Sequence, residues 1–186
     1  MQRTMWIPLL ALALAIAGCA HQPPMPAEQV SADRAGTKDR SETDPRYTLP
    51  PAKDRSLTIF LGSQTFEYVE DDRIVASGAI SSGSAAHPTP AGNFRVLSKD
   101  KDKRSGKYTN YFDQNTPMPY SLQFYGPYFI HEGWVPGYPD SHGCVRLHYE
   151  DARLLFARIR VGDRVLVKQE GSARPISPWS DLPLVF

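Results

Sequence analysis

The sequence predicts a mostly β domain with one helix late in the chain and otherwise minor helical content. Short runs of alternating apolar and polar residues recur between turn-forming segments, which is typical of strands. The 17 prolines and 13 glycines in 186 residues also favour short strands and turns over a helical bundle. Helical spacing of apolar residues is clear only once, near residue 150. With 41% apolar residues, the chain has enough apolar side chains to form the hydrophobic core of one domain.

The first strands are predicted from residue 56 onwards, in "SLTIFLGSQTFEYVEDDRIVASGAISSG". Leu57, Ile59 and Leu61 form one period-two set of apolar residues, and Phe66 and Tyr68 form a second. The segments "GSQ" and "EDDR" supply turns, and "RIVASGAI" reads as a third strand. These three runs predict consecutive strands joined by tight turns.

The second half of the domain contains shorter signals. "NFRVLSK" follows a loop rich in Gly, Ser and Pro, and "YSLQFYGPYFIHEG" predicts two strands around Gly126-Pro127. We expect the charged segment 99–107 to be a solvated loop rather than a binding patch, because the signs of its charges alternate. The helix is predicted in "HYEDARLLFARIR", ended by Gly162-Asp163 and followed by a strand, "RVLV". Its apolar positions at helical spacing are Ala152, Leu155, Phe156 and Ile159.

The N-terminal segment, residues 1–18, has the pattern of an export signal. Arg3 precedes an apolar run from Trp6 to Ala17, which is too short to span a bilayer. The run ends in "IAGC", which resembles the lipobox of bacterial lipoproteins and implies acylation of Cys19. A protein anchored to the membrane through lipid on Cys19 would lie in the cell envelope, and Ala20 implies the outer membrane, facing the periplasm. The alternative is an ordinary signal peptide with a chance cysteine.

Residues 19–55 predict a disordered tether rich in Pro and charge, since few large apolar residues are available for burial. The alternative, an irregular arm packed near Tyr47, stays open. Residues 56–169 form the predicted domain and residues 170–186 a C-terminal tail. The 21 basic and 20 acidic residues leave almost no net charge, which argues against nucleic acid as a partner. The sequence gives no indication of a protein partner.

The segment "PDSHGCVRL", residues 139–147, holds the candidate chemistry. If lipid occupies Cys19, Cys144 has no disulfide partner in the chain, which is unusual in an oxidising compartment. A catalytic thiol needs a base, a group that orients the base, and donors for an oxyanion. His131 follows a strand run and precedes the glycine region, where a side chain can face a cleft. His148 lies beyond the motif, where a surface or capping role is expected.

The segment "IHEGWVPGYPDSHGCVRL" resembles the signature of the L,D-transpeptidase catalytic domain, the YkuD-type domain. The upstream "HPTPAGNFRV" is similar to the family's Thr-Pro-x-Gly-x-Phe segment through Thr89, Pro90, Gly92 and Phe94, and "VGDRVLV" matches its closing strand. The similarity covers roughly residues 56–168. It implies a β-rich sandwich or barrel-like fold.

The resemblance implies catalytic roles for four residues and for the residue that follows the base. Cys144 would be the nucleophile, and His131 would act first as general base and then as acid. The backbone carbonyl of Glu132 would orient His131. Backbone N–H groups of His142, Gly143 and Cys144 would form the oxyanion hole. No cofactor and no metal is implied.

Substrate contacts are implied or suggested for five residues. Ser141 would shape the site, and Arg146 would fix either the loop or a substrate carboxylate. Glu132 departs from the family's usual His-Gly pair, and its side chain would meet a substrate amine. Trp134 and Tyr138 lie in the gap before Cys144 and are candidates for a groove wall, with core packing as the alternative role.

The implied reaction is acyl transfer on peptidoglycan stem peptides through a thioester, forming 3→3 crosslinks or attaching a protein to the wall. Two alternatives share the segment: an L,D-carboxypeptidase with the same site, and a non-catalytic lipoprotein that binds peptidoglycan. A zinc site from Cys144, His131, His142 and Asp140 lacks both C-x-x-C and H-E-x-x-H spacing. A buried inert cysteine would not explain why Ser, His and Gly precede the thiol.

Overall fold

The computed structural model describes residues 44–109 and 114–174. They contain one α-helix, α1, one short 3-10 helix at Pro45–Tyr47, and eleven strands. The elements in chain order are β1 (Arg55–Phe60), β2 (Thr65–Glu70), β3 (Arg73–Ser81), β4 (Gly92–Arg95), β5 (Ser98–Asp100), β6 (Arg104–Thr109), β7 (Asn115–Pro117), β8 (Ser121–Tyr125), β9 (Tyr128–Glu132), β10 (Val145–Leu147), α1 (Tyr149–Arg158) and β11 (Arg164–Lys168).

Nine of the strands form one curled sheet, in the order β4-β11-β1-β2-β3-β10-β9-β8-β5. The pairs β1–β11 and β9–β10 are parallel, and the other neighbours in the sheet are antiparallel. β6 and β7 form a separate two-stranded antiparallel unit. The prediction of a mostly β fold with one late helix is confirmed.

The core follows the period-two pattern of the first strands. Leu57 lies opposite Tyr68 and Ile59 lies opposite Phe66 in the β1–β2 register, and all four side chains are fully buried. Leu61 comes one residue after the end of β1 and is only partly buried. The alternation therefore places one face of this hairpin in the core, as hydrophobic burial requires.

Helix α1 covers the core from one side, against β3, β8 and β9. Its buried residues are Ala152, Leu154 and Leu155, and Ile159 is buried directly after its last turn. Glu150 and Asp151 in the first turn suit the positive end of the helix dipole. Among residues 44–109 and 114–174, no helix has the length and apolar character needed to cross a membrane.

The described residues begin at residue 44, before the domain start predicted at residue 56. Arg158 at the end of α1 donates to the backbone carbonyl oxygens of Arg46, Leu49 and Pro50, at 3.2, 3.1 and 3.1 Å. Its guanidinium also pairs with Glu70, whose side chain is 2% exposed. An arginine at this position needs many acceptors, and the chain at 46–50 supplies three of them. Residues 1–43, which include Cys19 and most of the predicted tether, lie outside the described residues.

The charged segment 99–107 is not a simple loop, so that prediction is wrong. Its start belongs to β5 and its end to β6, and Ser105 is buried. The Met118 amide donates to the Lys103 carbonyl oxygen at 2.8 Å, which helps to join this segment to the chain after β7. Lys99 on β5 donates to the carbonyl oxygens of Phe156 and Ile159 at the end of α1, and Arg104 and Lys107 lie on β6. Alternating charge alone therefore does not distinguish strands from a loop.

Candidate active site

β9 and β10 lie side by side as parallel strands, and together they position the two residues predicted to react. In the register, His131 on β9 lies opposite Arg146 on β10. Cys144 comes two residues before Arg146, so its side chain leaves the extended chain on the same face. This diagonal step puts the Cα atoms of His131 and Cys144 about 8 Å apart. Both residues line one cavity of about 760 Å³.

His131 is held as a neutral imidazole with a defined position of its proton. Its Nδ1 lies 2.6 Å from the backbone carbonyl oxygen of Glu132. A carbonyl only accepts hydrogen bonds, so Nδ1 carries the proton and Nε2 is left as the acceptor. Burial and, to a lesser extent, the positive charge of Arg146 lower the pKa of His131 to about 4, although the hydrogen bond to the Glu132 carbonyl acts in the opposite direction. The imidazole is therefore unprotonated at neutral pH.

Cys144 is a free, partly exposed thiol. Burial raises the pKa of Cys144 above its usual value of 9.0, although the Phe129 amide and the charge of Arg146 act in the opposite direction. Its Sγ lies 4.0 Å from the carbonyl oxygen of Pro127. β10 separates Cys144 from the start of α1, so no helix N-terminus lies directly after the thiol. At neutral pH the site therefore holds a thiol beside a neutral imidazole rather than an ion pair.

The loop that carries Cys144 is held by its own hydrogen bonds. Ser141 Oγ accepts from the Gly143 amide at 3.0 Å and donates to the Cys144 carbonyl oxygen. The amides of Asp140 and Ser141 both donate to the Ser82 carbonyl oxygen at 3.0 Å. The Gly143 amide, predicted as an oxyanion donor, is thus used inside the loop. The amides of His142 and Cys144 remain candidates for that role.

Gly143 has to be glycine where the loop passes Tyr128. Its φ is +112°, a conformation that side chains rarely adopt. An added Cβ would lie 2.6 Å from Cε1 of Tyr128. The residue therefore lets the backbone turn against an aromatic ring just before the nucleophile.

Thr89 joins the upstream motif to this loop, and sequence reasoning gave it no role. Its hydroxyl donates to the Gly143 carbonyl oxygen at 2.8 Å and accepts from the Gly83 amide at 2.9 Å. Its side chain is buried. The only sequence signal was the match of Thr89 to a motif that resembled the family.

Arg146 lies in an ion pair with Asp140, with 2.9 Å between Nη1 and Oδ2. Its second terminal nitrogen donates to the Asp140 backbone carbonyl oxygen at 3.2 Å. These contacts join Arg146 to Asp140 in the segment before Cys144, and its predicted role in fixing the loop stays a prediction. Contact with a substrate carboxylate stays a prediction.

His142 is exposed, lines the cavity and contacts two other rings. Its ring centroid lies 4.8 Å from that of His87 and 4.5 Å from that of Tyr108 on β6. The β6–β7 hairpin is thereby in contact with the segment that carries Cys144. This hairpin and the residue before it also supply lining residues of the cavity that the sequence did not indicate, among them Lys107 on β6 and Lys103 directly before β6.

The remaining predicted site residues are not among the described residues that line the cavity. Trp134 and Tyr138 are 68% and 54% exposed, and neither is among the described residues that line the cavity. The Glu132 side chain is also outside that lining, and its contribution is the carbonyl bond to His131. Substrate contacts of these three residues stay predictions.

His148 is the N-cap residue of α1 without a side-chain capping bond. Within the described residues, no three His, Cys, Asp or Glu side chains form a metal-binding group.

Comparison with known proteins identifies the family. The sequence profile of the L,D-transpeptidase catalytic domain, YkuD, matches residues 54–167, more than half of the chain. The chain belongs to this family. The L,D-transpeptidase YkuD of Bacillus subtilis is 25% identical over 123 residues, which cover 66% of this chain and 69% of that protein.

Solved structures of L,D-transpeptidases share the fold. The enzyme of Stackebrandtia nassauensis has a TM-score of 0.56 at 25% identity, covering 66% of this chain and 60% of that one. The enzyme of Enterococcus faecium has a TM-score of 0.54 at 29% identity, covering 62% of this chain and 50% of that one. The chain thus spans between half and two thirds of the length of these two solved proteins.

Proposed function

We propose that this L,D-transpeptidase domain forms a thioester between Cys144 and a peptidoglycan stem peptide, the substrate class of its family. The observation that carries the proposal is the position of Cys144 and His131 in one cavity, on adjacent parallel chain segments. The Glu132 carbonyl fixes the proton of His131 on Nδ1 and turns Nε2 into the base. A nucleophile, a base and a group that orients the base are therefore present together.

The acylation step begins with the thiol, because both side chains are neutral at rest. Sγ of Cys144 attacks the carbonyl carbon of the third stem residue while its proton moves to Nε2 of His131. The amides of His142 and Cys144 are the donors proposed for the oxyanion. The bond to the terminal D-alanine then breaks, and His131 gives its proton to the leaving amine. A base with a pKa near 4 when buried releases this proton readily.

The second step consumes the thioester. An amine from a neighbouring stem loses a proton to His131 and attacks the thioester carbonyl, which frees the thiol and forms a 3→3 crosslink. An amine of a protein in the same place would attach that protein to the wall. Water in the same place would release a tripeptide, the outcome of a carboxypeptidase. The first half-reaction is common to all of these outcomes.

We further propose that the domain works in the cell envelope, held by lipid on Cys19 at the outer membrane and facing the periplasm. The support is the lipobox-like "IAGC" that closes the apolar run of residues 6–17. Metabolic labelling with a fatty acid tests this: label on the chain, lost in Cys19→Ala, supports the anchor. Label that persists in Cys19→Ala contradicts it.

The test of the activity uses the purified chain and a disaccharide tetrapeptide, with products followed by mass spectrometry. Crosslinked dimer supports transpeptidation, and tripeptide alone supports the carboxypeptidase. The Cys144→Ala variant is the matched control and should form neither product. Tight binding of the peptide with no product from the wild-type chain would overturn the proposal and favour a wall-binding protein without turnover.

A further inference from the structure

The cavity that holds Cys144 is lined by cations. Lys103, Lys107 and Arg146 all contribute to its wall, and the described lining residues include no aspartate or glutamate. A cleft lined by one sign of charge raises the local concentration of ligands of the opposite sign. The described part of the cavity therefore favours an anionic ligand over a neutral ligand of the same shape.

The two lysines differ from the arginine in having no carboxylate partner within the described residues. Arg146 is already paired with Asp140 at 2.9 Å. The ammonium group of Lys103 lies 5.2 Å from the ring centroid of Phe129, and that of Lys107 lies 5.4 Å from the ring centroid of Tyr108. Contacts with rings hold these side chains in place without neutralising their charge.

Phe129 lies between the charge of Lys103 and the thiol of Cys144 in the network of contacts. Phe129 lies on β9, two residues before His131, and its backbone amide interacts with the Cys144 thiol. Lys103 and Cys144 therefore both contact Phe129, and both line the same cavity. Lys103 is half-buried, so its charge is less screened by water than that of an exposed lysine.

We propose that Lys103 and Lys107 are specificity-determining residues that select acyl donors whose side carboxylates are free acids rather than amides. This inference rests on the proposed function, because the donor is taken to be a stem peptide. A carboxylate and its primary amide have nearly the same shape and differ in charge. An ammonium group gains a charge-assisted contact with the carboxylate and loses it with the amide.

The direct test compares two stem tetrapeptides, one with free side carboxylates and one with both converted to amides. We expect kcat/KM of the wild-type chain to be about tenfold higher for the free acid, the effect of one partly screened charge-assisted contact. Lys103→Gln and Lys107→Gln should each reduce this preference about threefold, and the double variant should abolish it. Lys103→Arg keeps the charge and should keep the preference.

Lys101→Gln is the matched control. Lys101 is an exposed lysine of the same segment that does not line the cavity, so its loss should leave the preference unchanged. Thermal unfolding checks that each variant is folded. Equal use of the two peptides by the wild-type chain would overturn the inference, as would an equal effect of Lys101→Gln.

A second measurement separates this inference from the proposed function. Iodoacetate and iodoacetamide alkylate a thiol by the same displacement of iodide, and they differ in charge. Peptide mapping gives the rate of alkylation of Cys144 by each reagent. A change in the thiol pKa alters both rates equally, so the ratio of the two rates depends on the local electrostatic field. The ratio should fall about two- to threefold for each lysine removed, as expected for one nearby unit charge in a water-like dielectric.

The two failures are therefore distinguishable. Absence of turnover with both peptides would contradict the proposed function, and the alkylation ratio would then decide on the cationic field alone. A ratio that is the same in the wild-type chain and in the double variant would overturn the role of the lysines, whatever the turnover.

Discussion

Replacing Thr89 with valine tests how the upstream motif supports the nucleophile loop. Valine keeps the shape of the side chain and removes the hydroxyl that joins the Gly83 amide to the Gly143 carbonyl. Thr89 is 4% exposed, so water does not readily replace the lost contacts. The Gly83 amide and the Gly143 carbonyl would each be left without a partner, at a cost of about 1–3 kcal/mol per group. Because the surrounding structure relaxes in part, we expect the free energy of unfolding to fall by about 3 kcal/mol in all. For a domain of this size, the melting temperature should fall by about 10 °C.

The assay is thermal unfolding of the wild-type chain, Thr89→Val and Thr89→Ser, followed by turnover of a stem tetrapeptide. Serine keeps the hydroxyl and should restore most of the melting temperature. Turnover by the valine variant should fall about tenfold or more, because a shift of the Gly143 backbone displaces Cys144 from His131. A valine variant that melts within about 2 °C of the wild type and turns over normally would refute the role of this bridge.

Three further predictions concern the charged and titrating groups. Alkylation of Cys144 by iodoacetamide should rise about tenfold per pH unit between pH 7 and 9, because burial raises the thiol pKa and only the thiolate reacts. Turnover measured as kcat/KM should fall as the pH drops through about 4, where His131 becomes protonated and stops acting as a base. Arg158→Gln should lower the free energy of unfolding by about 3–5 kcal/mol at pH 7, since it leaves the Glu70 carboxylate buried and unpaired.

The pH dependence of the third prediction has a defined sign. Burial tends to raise the pKa of Glu70, but hydrogen bonds from Arg158 and Tyr68 outweigh it, and the pKa lies below the usual 4.5. The stabilisation by the ionised Glu70 carboxylate is therefore complete above about pH 4.5, and it is lost as the pH falls through the pKa of Glu70 in the folded state. The difference between the wild type and Arg158→Gln in denaturant titrations should shrink in acid, and a difference that is constant down to pH 2 contradicts this.

Two outcomes contradict the other predictions of this group. Alkylation that is independent of pH between 5 and 8 would show a thiolate paired with an imidazolium at rest. An acidic limb of kcat/KM near pH 6.5, the ordinary value for histidine, would show that His131 is not desolvated by its surroundings. His131→Ala serves as the control for the second, because it should remove the acidic limb together with most of the turnover.

The fold class was predictable because local patterns reflect burial. Leu57, Ile59 and Phe66 alternate with polar residues in the sequence and are fully buried in the structure. The segment 99–107 was not predictable in this way, since β6 pairs only with β7 and carries charges on its exposed side. Charge alternation looks the same in a solvated loop and in a hairpin above a cavity.

The candidate site was predictable only in part, for a similar reason. Cys144 and His131 belong to a motif that is visible in the chain, and the structure places both in one cavity. Thr89 contacts Gly143 across 54 positions of sequence, and no local pattern encodes such a bond. The raised pKa of Cys144 also follows from burial of the thiol, which no local pattern in the sequence encodes.

The most direct measurement of the central claim is the mass of the intact chain quenched during turnover of a stem tetrapeptide. The account predicts a covalent acyl adduct equal to the donor without its terminal D-alanine, mapped by peptide digestion to Cys144. The adduct should be absent from Cys144→Ala and should accumulate far more slowly in His131→Ala. Turnover with no adduct on Cys144, or with an adduct on another residue, would contradict the account.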